Sequence, residues 1–173
     1  AVEVFIASNG VPFGDGVEAA ATDADTGYPL YVDATMVIVD PGHPSTFYLA
    51  MDDGVYKSVN GGRTWRKANS GLVDTVVWGM VVDPREPSTL YVATPRGIFK
   101  SSDGGTTWSM SLGGPVARCS VVIAPSSPST LYAWTAVGLY HTDDGGTNWN
   151  ERGGVFSIPS HATRTTAGSL ILV

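Results

Sequence analysis

Cysteine is almost absent: Cys119 is the single one among 173 residues. No disulfide within the chain and no Cys-based zinc site can therefore form. Charge is sparse at 15% of residues and tilts acidic, giving a net −6. That balance argues against nucleic acid or an anionic membrane surface as the main partner. No run approaches the ~18 apolar residues of a membrane span, so direct membrane insertion is not expected. No stretch carries sustained helical periodicity. The signatures H-E-x-x-H, G-x-S-x-G and the P-loop are also missing. What is present is a 43% hydrophobic content with 21 Gly and 11 Pro, a turn-rich chain with enough apolar surface for a core. The chain opens on Ala1 without Met or a signal-type segment, so it reads as a processed or excised product.

The dominant feature is an internal repeat. Residues 37–65 read VIVDPGHPSTFYLAMDDGVYKSVNGGRTW, residues 81–108 VVDPREPSTLYVATPRGIFKSSDGGTTW, and residues 121–149 VVIAPSSPSTLYAWTAVGLYHTDDGGTNW. Pro41, Pro84 and Pro125 align, as do Pro44, Pro87 and Pro128, each of the latter opening a Pro-Ser-Thr turn. Trp65, Trp108 and Trp149 close the units at spacings of 43 and 41 residues. Each unit divides into four short strands: MVIV, TFYLA, GVYKS and TWRKA, then VWGMVV, LYVAT, GIFKS and TWSM, then SVVI, LYAWT, GLYHT and NWNER. The first slot is an apolar run suited to a buried strand, and the fourth is more polar. An all-β fold of four-stranded antiparallel blades follows, with blades over 35–71, 76–114 and 117–154.

The turn between the third and fourth strands carries the most specific pattern. It places Ser58, Asn60, Gly62, Thr64 and Trp65 in register with Ser101, Asp103, Gly105, Thr107 and Trp108, and with Thr142, Asp144, Gly146, Asn148 and Trp149. An Asx side chain can accept backbone N–H bonds inside such a turn, Gly supplies positive φ, and Trp packs the turn onto its blade. Here the sequence resembles the Asp-box, or BNR, repeat family of β-propellers, whose pattern is S-x-D-x-G-x-T-W. The second copy fits throughout; Asn60, Thr142 and Asn148 depart from it with side chains able to make the same local bonds. The resemblance implies a β-propeller like those of sialidases, sorting receptors and photosystem-assembly factors. It also implies that the box residues form the fold rather than act in catalysis. An Asp repeated on every blade is spread around a rim, whereas chemistry needs groups that converge.

The flanks lack a box. Residues 1–7 and 28–34 read as strands around an acidic, Gly-rich loop with Asp15, Glu18, Asp23 and Asp25, and residues 168–173 read as a further strand. Residues 1–34 and 155–173 are thus an N-terminal element and a partial or closing blade. Gly14–Ala19 matches a loose dinucleotide fingerprint without a βαβ unit around it. Asp23 and Asp25 fail the calcium-loop pattern, because Gly27 and Ala34 stand where ligands belong. His43, His141 and His161 occupy unrelated slots and are read as solvated or turn residues. No metal and no cofactor is expected.

In a four-stranded meander, the turns after strands one and three share an edge, and the turn after strand two joins the inter-blade connection on the opposite one. That opposite edge varies from copy to copy, which a binding site grafted on a repeat requires. It presents Asp52, Asp53, Asp74, Trp78, Arg96 and Arg118 as the expected contact residues. Trp134 is read as packing. The preferred reading is a non-catalytic, extracytoplasmic binding or scaffold module for a protein partner or a glycan. The alternative is a piece of a glycoside hydrolase, in which Asp52 or Asp53 would pair with Asp74 across a sugar. Residues 48–56 (YLAMDDGVY) resemble, shifted by one, a segment of the xyloglucan-hydrolysing propellers in which an Asp after strand two is catalytic. A sialidase would draw on Arg96 and Arg118, but its F/Y-R-I-P element and Glu–Tyr pair have no counterpart. Because propellers need at least four blades, three boxes predict that the flanks complete a fourth, that other copies or other chains close the ring, or that the chain is part of a longer protein.

Overall fold

The computed structural model describes residues 22–23, 36–114 and 119–152. Every regular element among them is a strand: β1 (Thr22–Asp23), β2 (Met36–Val39), β3 (Phe47–Met51), β4 (Gly54–Ser58), β5 (Thr64–Lys67), β6 (Gly79–Val82), β7 (Leu90–Thr94), β8 (Gly97–Ser101), β9 (Ser109–Gly113), β10 (Cys119–Ala124), β11 (Ser127–Thr135), β12 (Gly138–Thr142) and β13 (Asn150–Glu151). They form three antiparallel meanders. Sheet I runs β5-β4-β3-β2 with β1 added outside β5, sheet II runs β6-β7-β8-β9, and sheet III runs β10-β11-β12-β13. The first strands lie nearest one another, β6 beside both β2 and β10.

Period-two alternation on the central strands gives sheets I and II an apolar side chain set on each face, and sheet III on one. Tyr48, Ala50 and Val55 of sheet I meet Leu90, Val92, Phe99 and Trp108 of sheet II in one core. The other face of sheet II contributes Tyr91, Ala93 and Ile98 to a second core with Cys119, Val121, Leu131 and Ala133 of sheet III. Phe47, Leu49, Tyr56 and Trp65 form a third cluster on the far face of sheet I. Cys119 is buried and its thiol is pushed up to about 12 by that burial, which makes it inert packing.

Three expectations are corrected. Asp23 lies in a short strand rather than a loop, since Thr22–Asp23 pairs in parallel with Thr64–Trp65 at the open edge of sheet I. His141 is a buried strand residue, neither solvated nor in a turn; its Nε2 is 3.0 Å from Asp143 Oδ1 and its Nδ1 3.4 Å from Arg152 Nη2. The third Pro-Ser-Thr is not a loop but part of β11, where Ser127 already pairs with Ala124. In the first two copies an aspartate holds the loop open: Asp40 Oδ1 accepts the N–H groups of Gly42 and His43, and Asp83 Oδ1 those of Arg85 and Glu86. Ala124 stands at that position in the third copy and cannot accept, so the strands zip into a tighter hairpin. The expected strands at 1–7, 28–34 and 168–173, with Asp15, Glu18, Asp25, His161 and Arg118, lie outside the described residues.

Candidate functional site

The two edges of the sheets differ in kind. On one, each box turn folds over its own side chains and is tied to the neighbouring Pro-Ser-Thr segment. Gly61, Gly104 and Gly145 donate their N–H groups to the carbonyls of Ser45, Ser88 and Ser129, each at 2.8 Å. Inside the turns, Ser58 Oγ accepts from Gly62 N–H (2.9 Å), Ser101 Oγ from Gly105 N–H (2.9 Å) and Thr142 Oγ1 from Gly146 N–H (3.1 Å). The Asx oxygen closes the loop by accepting from the backbone four residues on: Thr64 to Asn60 at 3.0 Å, Thr107 to Asp103 at 2.8 Å, Asn148 to Asp144 at 2.9 Å. Hydrogen bonds from the Thr107 side chain and backbone hold the Asp103 carboxyl down to about 2, and those from Asn148 and Thr142 lower Asp144 further. Carboxylates so engaged are permanently ionised acceptors, with no proton to give near neutral pH.

These turns also join the sheets. Tyr48 Oη and Lys57 Nζ of sheet I both donate to the Gly104 carbonyl in the box turn of sheet II, at 3.2 and 2.8 Å. Tyr91 Oη and Lys100 Nζ of sheet II repeat the clasp on Gly145 of sheet III, both at 2.8 Å. The box Trp reaches the other way, Trp108 Nε1 to the Ala68 carbonyl (2.7 Å) and Trp149 Nε1 to Ser111 Oγ (3.0 Å).

The opposite edge carries the sequence-derived contact residues and repeats less: Thr94 and Thr135 close the second and third turns with the same Oγ1 bonds, to the Gly97 and Gly138 carbonyls, while Met51 stands at that position in the first. Asp52 and Asp53 occupy the two-residue turn between β3 and β4, both exposed. Arg96 is exposed at the tip of the corresponding β7–β8 turn, its N–H bonded to Thr94 Oγ1 at 3.2 Å. The third turn presents Val137, half exposed, in place of a charge. Asp74 lies in the connection between sheets I and II, half-buried, with one long contact from Val76 N–H (3.4 Å). That connection is pinned to this edge by Val77 N–H on the Met51 carbonyl and by Trp78 N–H on the Ala93 carbonyl. Trp78 is half-buried and packs against the core between sheets II and III, so only part of its ring remains for a ligand.

Asp53 is the most engaged of the set. Its Oδ2 accepts from Tyr56 Oη at 2.7 Å and pairs with Lys67 Nζ at 2.8 Å. Partial burial acts to raise its pKa, but the bonds from Lys67 and Tyr56 and the lysine charge outweigh it, and the carboxyl is shifted down. That is the reverse of the shift a general acid needs. Lys67 and Tyr56 escaped sequence reasoning, because only the β4–β5 register, Tyr56 opposite Lys67, brings them together. Asn69 completes the corner, accepting from Val55 N–H at 2.7 Å and donating to the Asp53 carbonyl at 3.1 Å. Among the described residues no cluster of three or more His, Cys, Asp or Glu stands ready to hold a metal ion.

No protein-family model and no curated protein matches this sequence. Solved structures do. An ancestral GH74 enzyme superposes with a TM-score of 0.60 at 21% identity, over 70% of this chain and 18% of its own. The GH74 xyloglucanase from Xanthomonas campestris gives 0.58 at 21%, over 75% of this chain and 24% of its own. YCF48 bound to D1 peptide gives 0.56 at 17%, over 80% and 48%. The chain spans about a fifth to a quarter of those GH74 enzymes and about half of YCF48. At these identities the likeness is one of fold, and it accords with the three sheets: the chain carries successive four-stranded blades of a β-propeller.

Proposed function

We propose that the chain is a non-catalytic binding or scaffold module acting outside the cytoplasm, of the Asp-box type, and that it recognises a protein segment or a glycan through the edge bearing Asp52, Asp53, Asp74, Trp78 and Arg96. The sequence-derived contact residue Arg118 is assigned to the same proposed surface. One observation carries the reading: the box edge is consumed three times over by the same internal hydrogen bonds, while the opposite edge changes its side chains from blade to blade and leaves Asp52 and Arg96 exposed. A rigid rim with variable loops supports recognition without catalytic groups. The D1 peptide on one structural neighbour supports a protein ligand, and the xyloglucanase supports a polysaccharide.

The second reading is a piece of a glycoside hydrolase, favoured by the two GH74 neighbours and by the acidic β3–β4 turn. Against it stands the ion pair that keeps Asp53 unprotonated. The two readings separate when Asp52→Ala, Asp53→Ala, Asp74→Ala and Arg96→Ala are each assayed for release of reducing ends from xyloglucan and for binding to immobilised xyloglucan, sialosides and an extended-peptide library. Binding without turnover, weakened by Arg96→Ala or Asp52→Ala, supports recognition. Turnover lost with any one of the three carboxylates assigns the edge to hydrolysis instead.

A further inference from the structure

At four places among the described residues an Asn or Asp is followed directly by glycine: Asp53–Gly54, Asn60–Gly61, Asp103–Gly104 and Asp144–Gly145. There the glycine nitrogen can attack the side-chain carbonyl carbon of the residue before it, since no side chain shields the approach. The product is a five-membered cyclic imide. The step needs a leaving group on the attacked carbon. An ionised carboxylate offers none, and Asp53, Asp103 and Asp144 all carry carboxyls whose pKa is shifted down. Asn60 carries an amide, which can leave as ammonia.

The turn around Asn60 also differs from its two counterparts in structure. In the second and third box turns the neighbouring sheet roofs the glycine. A Cβ on Gly104 would lie 2.9 Å from Lys57 Nζ, and one on Gly145 would lie 3.4 Å from Tyr91 Oη. Gly61 is exposed, with nothing within 4 Å of the same position. The two Tyr–Lys clasps bond the carbonyls of Gly104 and Gly145, and among the described residues none bonds that of Gly61. What holds the first turn shut is local. Gly61 donates its N–H to the Ser45 carbonyl at 2.8 Å, and Asn60 Oδ1 accepts from Ser58 Oγ and from Thr64 N–H, both at 3.0 Å. Asn60 Nδ2 donates to Thr64 Oγ1 at 2.9 Å. The attacking nitrogen and the attacked side chain are both tied elsewhere, so the reaction waits for the turn to open.

We propose that Asn60 is a deamidation site of the folded chain, gated by the opening of its own box turn. Gly61 N bonds to Asn60 Cγ, the Cγ–Nδ2 bond breaks, and the glycine amide proton leaves with the departing ammonia. Water, the sole co-reactant, then opens the imide at either carbonyl. One opening leaves aspartate, the residue of the other two boxes, placed to accept from Thr64 as Asp103 accepts from Thr107 N–H and Oγ1. The other leaves isoaspartate, whose extra backbone methylene disrupts that closure. The site lies on the box edge and is independent of the binding surface proposed above.

The test follows the whole chain at mildly alkaline pH, folded and in concentrated urea, by mass spectrometry of tryptic peptides. Residues 58–63 form a peptide whose single side-chain amide is Asn60, which separates it from Asn9–Gly10, outside the described residues. Asn60 should deamidate in both conditions, at least about tenfold more slowly in the folded chain, because the turn must first open. Thr64→Val removes the acceptor of Asn60 Nδ2 and should raise the folded rate several-fold while leaving the urea rate unchanged. Asp103→Asn places an Asn-Gly step under a clasp. The amide it introduces should react about tenfold more slowly than Asn60 in the folded chain and at the same rate in urea. Equal folded and urea rates at Asn60, a folded rate indifferent to Thr64→Val, equal folded rates at positions 60 and 103, or no mass gain at Asn60 in urea each overturns the proposal.

Discussion

At the residue scale, the box aspartates show how a repeated side chain can be strongly perturbed and still be structural. Asp103 sits at about 2 against an ordinary 3.8 because Thr107 bonds it through both side chain and backbone. A carboxyl whose folded pKa is depressed contributes stability that is fully present above the unfolded pKa and is lost as pH falls through the folded one. Thermal midpoints should therefore fall between about pH 4 and pH 2, with Asp144 acting in the same direction. Asn60 makes the equivalent turn with an amide, its Oδ1 accepting from Thr64 N–H and its Nδ2 donating to Thr64 Oγ1. Asp103→Asn should thus keep the turn and flatten the acid slope; a variant with the parent's slope would show that the stability lies elsewhere. The glycines give a second contrast. Gly61 has φ +73° with open space where a Cβ would go, whereas Gly71 has φ +90° with the Trp108 carbonyl directly in the way. Gly61→Ala should cost about 1 kcal/mol, the left-handed penalty alone. Gly71→Ala should cost well above that, because the backbone must also move, and urea unfolding of the two variants side by side measures the difference.

At the scale of elements, the clasp between sheets makes its own prediction. Tyr48, Tyr91 and Tyr132 occupy one register position, opposite Lys57, Lys100 and His141. The first two are 1% exposed, bonded to a glycine carbonyl of the next box turn and raised to about 12 chiefly by burial. Tyr132 is 39% exposed and lies against His141 with the rings tilted, their centroids 5.1 Å apart. Tyr48→Phe and Tyr91→Phe should each cost about 1 kcal/mol in urea unfolding. Tyr132→Phe should stay within about 0.5 kcal/mol. Three equal costs would mean that the hydroxyl bonds to the box turns are not what matters at this position. The repeat made much of this architecture legible: strand slots, the common edge of the box turns and Pro-Ser-Thr segments, and the opposite edge for the variable loops. What the sequence could not convey were consequences of register and of single acceptors. The Asp53–Lys67–Tyr56 group exists because β4 and β5 pair one way, and β11 is long because Ala124 lacks the oxygen that Asp40 and Asp83 supply. The joints between sheets were equally hidden, since a Tyr and a Lys bonding one carbonyl 56 and 47 residues away leave no local pattern.

At the scale of the whole molecule, sheet II is the member that holds the others. It offers Phe99 and Leu90 to the core with sheet I and, from its other face, Tyr91 and Ile98 to the core with sheet III. In a repeat array each unit is stabilised by its own contacts and by its nearest-neighbour interfaces. Phe99 is 1% exposed and lies in the first of these cores. Phe99→Ala should cost about 3–5 kcal/mol, the usual loss for emptying a buried aromatic site. Its effect should be asymmetric. Amide exchange in β3, β4, β7 and β8 should accelerate by a large factor, because the I–II interface is weakened directly. In β10 to β12 the acceleration should be smaller, because the II–III interface and the Tyr91–Lys100 clasp remain. Ile98→Ala, acting through the second core, should invert the pattern and loosen sheet III more than sheet I. Hydrogen exchange read by mass spectrometry separates the sheets in one experiment. If both variants accelerate all three sheets equally, the blades unfold as a single unit and the nearest-neighbour description fails for this chain.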